Sequence, residues 1–320
     1  MAGCRRDMQT EGIILKGIDG LYQVQTDTGD TVLCGARGVL RHRKIRPLSG
    51  DRVLLSLPSD GNAGNGGVAI VDILPRKNEL KRPPIANLSL LGVVLAAAKP
   101  APVLTVADKM LTVAERKQIV PVILITKADV APLEAERLAS IYRRAGFPVF
   151  LSGFGREQET ADLLSFLLNR LSGGIAAFSG ASGVGKSTLI VTLFPQLHLE
   201  TGEMSRKTER GRHTTRCVTL FPLSELTGGQ TNGFLADTPG FSMLDLWEQE
   251  CVDRRELAGL FREFRPYLGL CRYTDCTHTR EDGCAVLEAV ECGDIPKSRH
   301  LSFLSMYEEL KDKHVWDKKT

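Results

Sequence analysis

The chain has 320 residues, 42% of them hydrophobic, and a formal net charge of +3. This length predicts two or three domains, and the hydrophobic content excludes a wholly disordered chain. A charge of +3 is too small to indicate a nucleic-acid partner by itself, so such an interface must rest on local clusters of basic residues.

The N-terminal segment and the longest apolar run bear on location. Arg5 and Arg6 are followed by no apolar segment, so we expect no signal peptide. Residues 88–98 are apolar but too few to span a bilayer. We therefore expect a cytoplasmic protein with reduced cysteines and no membrane partner.

Residues 11–75 predict a small β-barrel. Five short apolar runs separated by turns fit an OB-fold, a common platform for nucleic acids. The runs are 12–17, 20–26, 31–34, 51–57 and 67–74. The segment 37–46 contains five Lys and Arg residues and no acid. It is either a loop that contacts phosphates or a solvated charged loop, and the sequence leaves both open.

An alternating α/β pattern follows the polar, proline-rich residues 75–84, which we interpret as a linker. Strands alternating with helices predict a parallel, doubly wound sheet. The predicted strands are 88–98, 120–125, 147–151 and 174–178, and the predicted helices are 105–118, 133–145 and 160–171.

A phosphate-binding loop lies between the last of these strands and the next apolar run. The pattern G-x-x-x-x-G-K-S runs from Gly180 to Ser187. Its backbone N–H groups would surround phosphate oxygens, Lys186 would reach the β- and γ-phosphates, and Ser187 would ligate Mg²⁺. The predicted contacts are Gly180, Ala181, Ser182, Gly183, Val184, Gly185, Lys186, Ser187 and Thr188.

Two further motifs are typical of GTPases. The segment Thr126-Lys127-Ala128-Asp129 resembles [NT]-K-x-D, in which the carboxylate of Asp129 accepts two N–H bonds from guanine and the Lys127 stem packs along the base. Asp237 begins a D-x-x-G motif that ends at Gly240. Asp237 would hold Mg²⁺ through water, and the Gly240 N–H would sense the γ-phosphate.

A polar segment between the phosphate loop and Asp237 completes the set. In residues 211–215, Thr214 or Thr215 would ligate Mg²⁺ and become ordered when GTP binds; Thr215 is our candidate.

In an ordinary GTPase the base-reading motif follows the phosphate loop, whereas here Asp129 precedes Gly180. The motifs are therefore circularly permuted, which a parallel sheet tolerates when the original termini lie close together.

A candidate metal site follows the last motif. Cys271, Cys276, His278 and Cys284 have the spacing C-x4-C-x-H-x5-C, and three thiols with one imidazole suit a structural, tetrahedral Zn²⁺. Cys292 is a possible competing ligand. The last segment, 297–313, is interpreted as an amphipathic helix packed on this module, with Leu301, Leu304 and Leu310 on one face.

Together these features resemble the RsgA (YjeQ) family of bacterial GTPases that depend on the small ribosomal subunit. The resemblance implies GTP hydrolysis that the subunit stimulates during its late maturation, and a barrel and a zinc module that hold ribosomal RNA. It also implies that residues 211–215 are switch I. We predict an OB-fold barrel over 1–80, a permuted P-loop GTPase domain over 81–245 and a mainly helical zinc-binding domain over 246–320, acting as a monomer.

Two positions depart from the family's pattern. Thr126 stands where Asn is usual, so we expect the tie from that side chain to the phosphate loop to be lost. Residues 151–153 occupy the place of the second base-contacting motif, where Ser152 is followed by glycine rather than the usual alanine.

The residues around the γ-phosphate predict slow hydrolysis by the protein alone. Phe241 follows the D-x-x-G motif, and phenylalanine cannot orient the attacking water as glutamine does. His213 is our candidate to position that water beside Lys186 and Thr215, although it could equally be an exposed residue that touches only RNA.

Two other functions stay open from the sequence. One is an RNA-binding module in which nucleotide binding serves only sensing. The other is an ATP-using P-loop enzyme, against which Asp129 argues.

Overall fold

A computed structural model describes residues 8–38, 40, 45–57, 67–197, 218–237 and 252–311. These residues divide into two compact units. One contains the described parts of 8–89, 168–177 and 218–237, and the other contains 90–167, 178–197 and 252–311. Among the described residues, no helix is long and apolar enough to cross a bilayer.

The N-terminal strands close into the predicted five-stranded barrel. Its order is β1-β2-β3-β5-β4, and β3 pairs in parallel with β5 while the other pairs are antiparallel. The strands are β1 (Met8–Ile18), β2 (Leu21–Thr26), β3 (Thr31–Ala36), β4 (Arg52–Leu57) and β5 (Ala69–Ile73). Alternate residues point inward, and Ile14, Val24, Cys34 and Ile70 belong to the barrel core. The OB-fold prediction is confirmed.

The predicted linker contains ordered structure, so that interpretation is wrong. Strands β6 (Glu79–Lys81) and β7 (Pro84–Ala86) form an antiparallel pair in which Leu80 and Ile85 are fully buried. The basic character of this segment has a specific use, because the Arg76 guanidinium lies 2.7 Å from the buried carboxylate of Asp51. Its charge neutralises an acid that burial would otherwise destabilise.

A six-stranded sheet has the order β10-β9-β8-β11-β13-β12. The pairs β10–β9, β8–β9 and β11–β13 are parallel, whereas β12 is antiparallel to β13. The strands are β8 (Leu88–Ala96), β9 (Val120–Thr126), β10 (Val149–Leu151), β11 (Ile175–Gly180), β12 (Thr219–Pro222) and β13 (Phe234–Asp237). Its central strands are continuous apolar runs, as expected for strands that are buried on both faces.

Helices follow the strands of this sheet as the alternating pattern predicts. They are α1 (Leu104–Arg116), α2 (Pro132–Arg144), α3 (Glu157–Arg170), α4 (Lys186–Leu193) and the short α5 (Leu223–Thr227). The α/β fold class of the central region is confirmed.

The C-terminal region is mainly helical, as predicted. It contains the 3₁₀ segments Leu257–Leu260 and Arg262–Tyr267, followed by α6 (Ala285–Glu291) and α7 (Lys297–Glu309). The predicted leucine face of α7 is wrong at Leu301, which is exposed, whereas Leu310 is buried as predicted. The buried face of the helix itself carries Arg299, Phe303 and Met306. A charged residue can occupy this face because two buried carboxylates neutralise Arg299, as described below.

Candidate nucleotide-binding site and metal cluster

The glycine-rich loop forms between a strand and a helix, as its pattern requires. Strand β11 ends at Gly180, and helix α4 begins at Lys186. Gly185 has a φ of 91°, a left-handed conformation that side chains rarely adopt. The loop therefore turns directly into the N-terminus of α4, where the positive end of the helix dipole favours an anion.

Thr126 connects the preceding strand to this loop. It is the last residue of β9, it is 5% exposed, and its hydroxyl lies within hydrogen-bond reach of the Val184 carbonyl and 3.1 Å from that of Leu95. The expectation that replacing Asn by Thr loses the tie to the phosphate loop is therefore wrong. A hydroxyl and an amide nitrogen both donate, and the hydroxyl is close enough here to reach the same backbone.

Lys127 makes a second connection to the loop. Its ammonium group donates to the carbonyl of Gly183 at 2.8 Å and to the carbonyl of Lys99. Two successive loop carbonyls therefore accept hydrogen bonds from the end of β9 and the residue after it: Gly183 from Lys127, and Val184 from Thr126. Because N–H and C=O point in opposite directions across a peptide plane, the following N–H groups of Val184 and Gly185 are directed away from β9.

The segment after β10 lies against the base-reading motif. The Ala128 N–H donates to the carbonyl of Ser152 at 3.1 Å, and the Ser152 N–H donates to Ile125 at 2.8 Å. A Cβ at residue 153 would lie 2.8 Å from the backbone nitrogen of Asp129 and closer still to its carboxylate. Glycine at position 153 therefore lets this segment pass close to Asp129, where a side chain would collide with it. The sequence alone did not indicate this role of the glycine.

The described residues also include Ala181, Ser182, Ser187 and Thr188 of the phosphate loop and the start of α4, whereas other predicted site residues lie further along the chain. Asp237 is exposed at the end of β13, which runs parallel to β11. His213, Thr215 and Gly240 lie outside the described residues, as do Phe241 and residues 39 and 41–44 of the basic segment 37–46. The roles predicted for all of these residues remain predictions.

The four predicted metal ligands form one cluster. The Sγ atoms of Cys271, Cys276 and Cys284 and a ring nitrogen of His278 all lie within 4.8 Å of one another. His278 Nδ1 is 3.5 Å from the sulfurs of Cys271 and Cys284, which are 3.8 Å apart. A tetrahedral Zn²⁺ with Zn–S of ~2.3 Å and Zn–N of ~2.0 Å requires S···S of ~3.8 Å and S···N of ~3.5 Å. The cluster can therefore hold one metal ion.

The surroundings of the cluster favour neutral ligands when no cation is bound. Burial raises the pKa of the Cys276 thiol to about 12 and also raises the pKa of Cys284. Burial lowers the pKa of His278. A divalent cation supplies the positive charge that stabilises thiolates in such a place, and its binding displaces their protons. Cys292 is exposed and is not a member of the cluster.

Two residues that the sequence did not single out surround His278. The carboxylate of Glu281 accepts hydrogen bonds from the loop residues on either side of His278. His300 on α7 contacts the carbonyl oxygen of His278. Burial alone would raise the pKa of Glu281, but the hydrogen bonds from Thr277 and from backbone N–H groups outweigh it and lower that pKa to about 2. An acid three residues after a histidine ligand is a weak sequence signal, because surface loops often contain acids.

The fold and the site together define a P-loop domain of the α/β class in which β9, which ends in the predicted base-reading motif, precedes the phosphate loop. A family model described as RsgA GTPase matches residues 73–247, and one described as RsgA N-terminal domain matches residues 11–64. The chain belongs to the RsgA GTPase family. It is accordingly a GTP hydrolase, and membership implies binding of GTP or GDP with Mg²⁺.

Individual relatives agree over nearly the whole chain. "Small ribosomal subunit biogenesis GTPase RsgA" of Caldanaerobacter subterraneus subsp. tengcongensis is 39% identical, over 95% of this chain and 96% of its own. "Small ribosomal subunit biogenesis GTPase RsgA 2" of Oceanobacillus iheyensis is 40% identical, over 94% and 97%.

Solved structures agree as well. The crystal structure of YloQ, described as a circularly permuted GTPase, has a TM-score of 0.75 at 28% identity and covers 98% of this chain and 99% of its own. The crystal structure of YjeQ from Thermotoga maritima has a TM-score of 0.77 at 28% identity, covering 96% and 100%.

Proposed function

We propose that this protein binds the small ribosomal subunit late in its maturation and hydrolyses GTP there, with stimulation by the subunit. The small ribosomal subunit is the proposed partner because the chain matches, over nearly its whole length, relatives named as small ribosomal subunit biogenesis GTPases. Stimulation by the subunit is proposed because Phe241 stands where many GTPases have a glutamine that orients the attacking water. A GTPase without that group needs a catalytic contribution from elsewhere, and GTPase partners supply factors of about 10³–10⁵.

In this proposal, the nucleotide occupies the phosphate loop that Thr126 and Lys127 hold in place. Asp129 selects guanine, with the backbone at Ser152 beside it. Lys186 neutralises the β- and γ-phosphates, while Ser187 and Thr215 ligate Mg²⁺. Asp237 holds Mg²⁺ through water, the Gly240 N–H senses the γ-phosphate, and His213 positions the attacking water. The connection from Thr126 to the Val184 carbonyl supports this arrangement, because it joins the base-reading strand directly to the phosphate loop.

The other parts of the chain serve contact with the subunit. The cluster of three cysteines and one histidine holds Zn²⁺, whose coordination distances fit the sulfur and nitrogen spacings given above. The barrel (1–80) and the zinc-binding domain (246–320), which precede and follow the GTPase domain (81–245) in the sequence, contact ribosomal RNA. The protein acts as a monomer in the cytoplasm, where the subunit is assembled.

The test is a titration of purified small subunits into the purified protein, with phosphate release from GTP as the readout. We expect turnover to rise at least tenfold and to saturate, and Lys186→Ala to abolish turnover at every subunit concentration. His213→Ala should bind GTP normally but lose most of the stimulation. Turnover that does not change with added subunits would refute the stimulation, and preferential hydrolysis of ATP would refute the role of Asp129.

A further inference from the structure

We propose that Glu281 is a positioning residue for the metal centre, because it holds the backbone around His278 in the conformation that brings this ligand to the three thiols. The inference rests on the metal centre of the proposed function. It assigns a role to a residue that is not itself one of the four ligands.

The backbone of His278 needs such support. Its φ is 58°, in the left-handed region, where a residue with a Cβ is disfavoured by about 1–2 kcal/mol. A conformation of this kind persists only when surrounding contacts hold it. It has a use here, because in this conformation His278 Nδ1 lies 3.5 Å from two of the thiols.

Glu281 supplies contacts on both sides of His278. One carboxylate oxygen accepts the Thr277 N–H at 2.9 Å and also the Thr277 hydroxyl. The other oxygen accepts the N–H groups of Thr279 at 2.9 Å and Arg280 at 3.0 Å. The residues before and after His278 are therefore fixed to the same carboxylate. Only an ionised acid has two oxygens that accept without donating, which suits four converging donors.

Helix α7 also supports the backbone of His278. His300 on α7 lies with Nε2 2.9 Å from the carbonyl oxygen of His278. Because a carbonyl only accepts, Nε2 of His300 carries the hydrogen. The peptide groups around His278 are thus held by Glu281 from within the loop and by α7 from outside it.

The consequence is a loop that has its ligand geometry before the ion binds. Ordering a loop during binding lowers affinity, and a preorganised loop avoids that cost. Groups that orient metal ligands without touching the ion typically contribute 10–100-fold to metal affinity. We therefore expect Glu281 to act on how tightly the ion is held rather than on GTP chemistry.

The test compares Glu281→Gln with the parent protein and with Glu291→Gln, which changes an exposed glutamate on the neighbouring helix α6. Glutamine has the same shape, but its NH₂ group would face backbone N–H donors. Each full-length protein is loaded with Zn²⁺, and transfer of the ion to a chromogenic chelator is followed over time. We expect release from Glu281→Gln to be at least about tenfold faster than from the parent, and release from Glu291→Gln to equal the parent.

Loading with Co²⁺ separates positioning from a general loss of stability. The thiolate-to-cobalt absorption reports ligand geometry, and we expect it to be weaker in Glu281→Gln at a temperature where basal GTP turnover equals that of the parent. If Glu281→Gln does not fold, Thr277→Val removes one donor and should speed release by about threefold. Equal release from parent and folded variant would overturn this inference alone, whereas a parent that takes up no metal would overturn the proposed centre itself.

Discussion

Thr126 shows how a single side chain can join two parts of the nucleotide site. Its buried hydroxyl lies within reach of the carbonyls of Leu95 on the neighbouring strand β8 and of Val184 in the phosphate loop, and its single hydrogen is donated to one of them at a time. Asparagine at this place would use an amide for the same purpose. The donor matters more than the residue type, because backbone carbonyls accept from either group.

Replacing Thr126 by valine tests this tie. The shape is nearly unchanged, but the donor is removed, and one net hydrogen bond contributes about 0.5–1.5 kcal/mol. We expect the Kd for GDP to rise about two- to tenfold, measured by titration calorimetry. Thr160→Val is the matched control, because the Thr160 hydroxyl on helix α3 donates to the carbonyl of Arg156, just before that helix, and not to the phosphate loop. Equal affinities in all three proteins would show that the tie does not support the phosphate loop.

At the scale of elements, helix α1 holds the C-terminal region through charge. Asp108 on this helix lies 2.5 Å from the Arg299 guanidinium on α7, which also lies 2.6 Å from Glu263. All three side chains are at most 2% exposed. Burial raises the pKa of Asp108, although Arg299 opposes that shift. Nearer the end of α1, Glu115 binds Arg262 at 2.6 Å.

Removing the cation from this buried group should destabilise the protein strongly. Arg299→Met leaves two carboxylates buried without their counter-charge, and breaking such a group typically costs about 3–5 kcal/mol. The measurement is the free energy of unfolding in urea.

Two further variants control this prediction. Arg137→Met interrupts an exposed pair with Glu134 and should change the stability by less than about 1 kcal/mol. Combining Arg299→Met with Asp108→Leu and Glu263→Leu should recover much of the loss, because no unpaired charge remains. An Arg299→Met protein as stable as the parent would contradict the assignment.

At the scale of the whole molecule, the barrel and the metal cluster have separate means of stabilisation. The barrel has its own apolar core, which includes Ile14, Val24 and Ile70. The loop of residues 271–284 has few buried apolar side chains and depends on ligands and hydrogen bonds instead. Removal of the metal should therefore act locally.

Chelation followed by hydrogen–deuterium exchange tests this separation. We expect faster exchange in residues 271–284 and at the start of α7, which His300 connects to His278, and unchanged exchange in β1–β5. Restoring Zn²⁺ should restore protection. Equal acceleration in the barrel strands would mean that their stability depends on the metal.

Prediction from the sequence succeeded where the signal is local. Alternating apolar residues predicted the barrel strands, and the glycine-rich pattern at Gly180–Ser187 predicted a loop between strand and helix. Prediction failed where a distant partner changes the meaning of a residue. Leucine spacing suggested the wrong buried face for α7, because Arg299 is a poor core residue until Asp108 and Glu263 neutralise it. The polar segment 75–84 suggested a linker, because the partner of Arg76 lies far back in the chain at Asp51.

The sequence by itself determined the family, the motif order and the four members of the cysteine and histidine cluster, because these depend on residue types at fixed spacings. Only the tertiary structure decided how the sites are held. It placed the Thr126 hydroxyl against the Val184 carbonyl and the Glu281 carboxylate around the backbone of His278. Such contacts depend on which donors and acceptors the fold brings within about 3 Å, and no spacing along the chain specifies that distance.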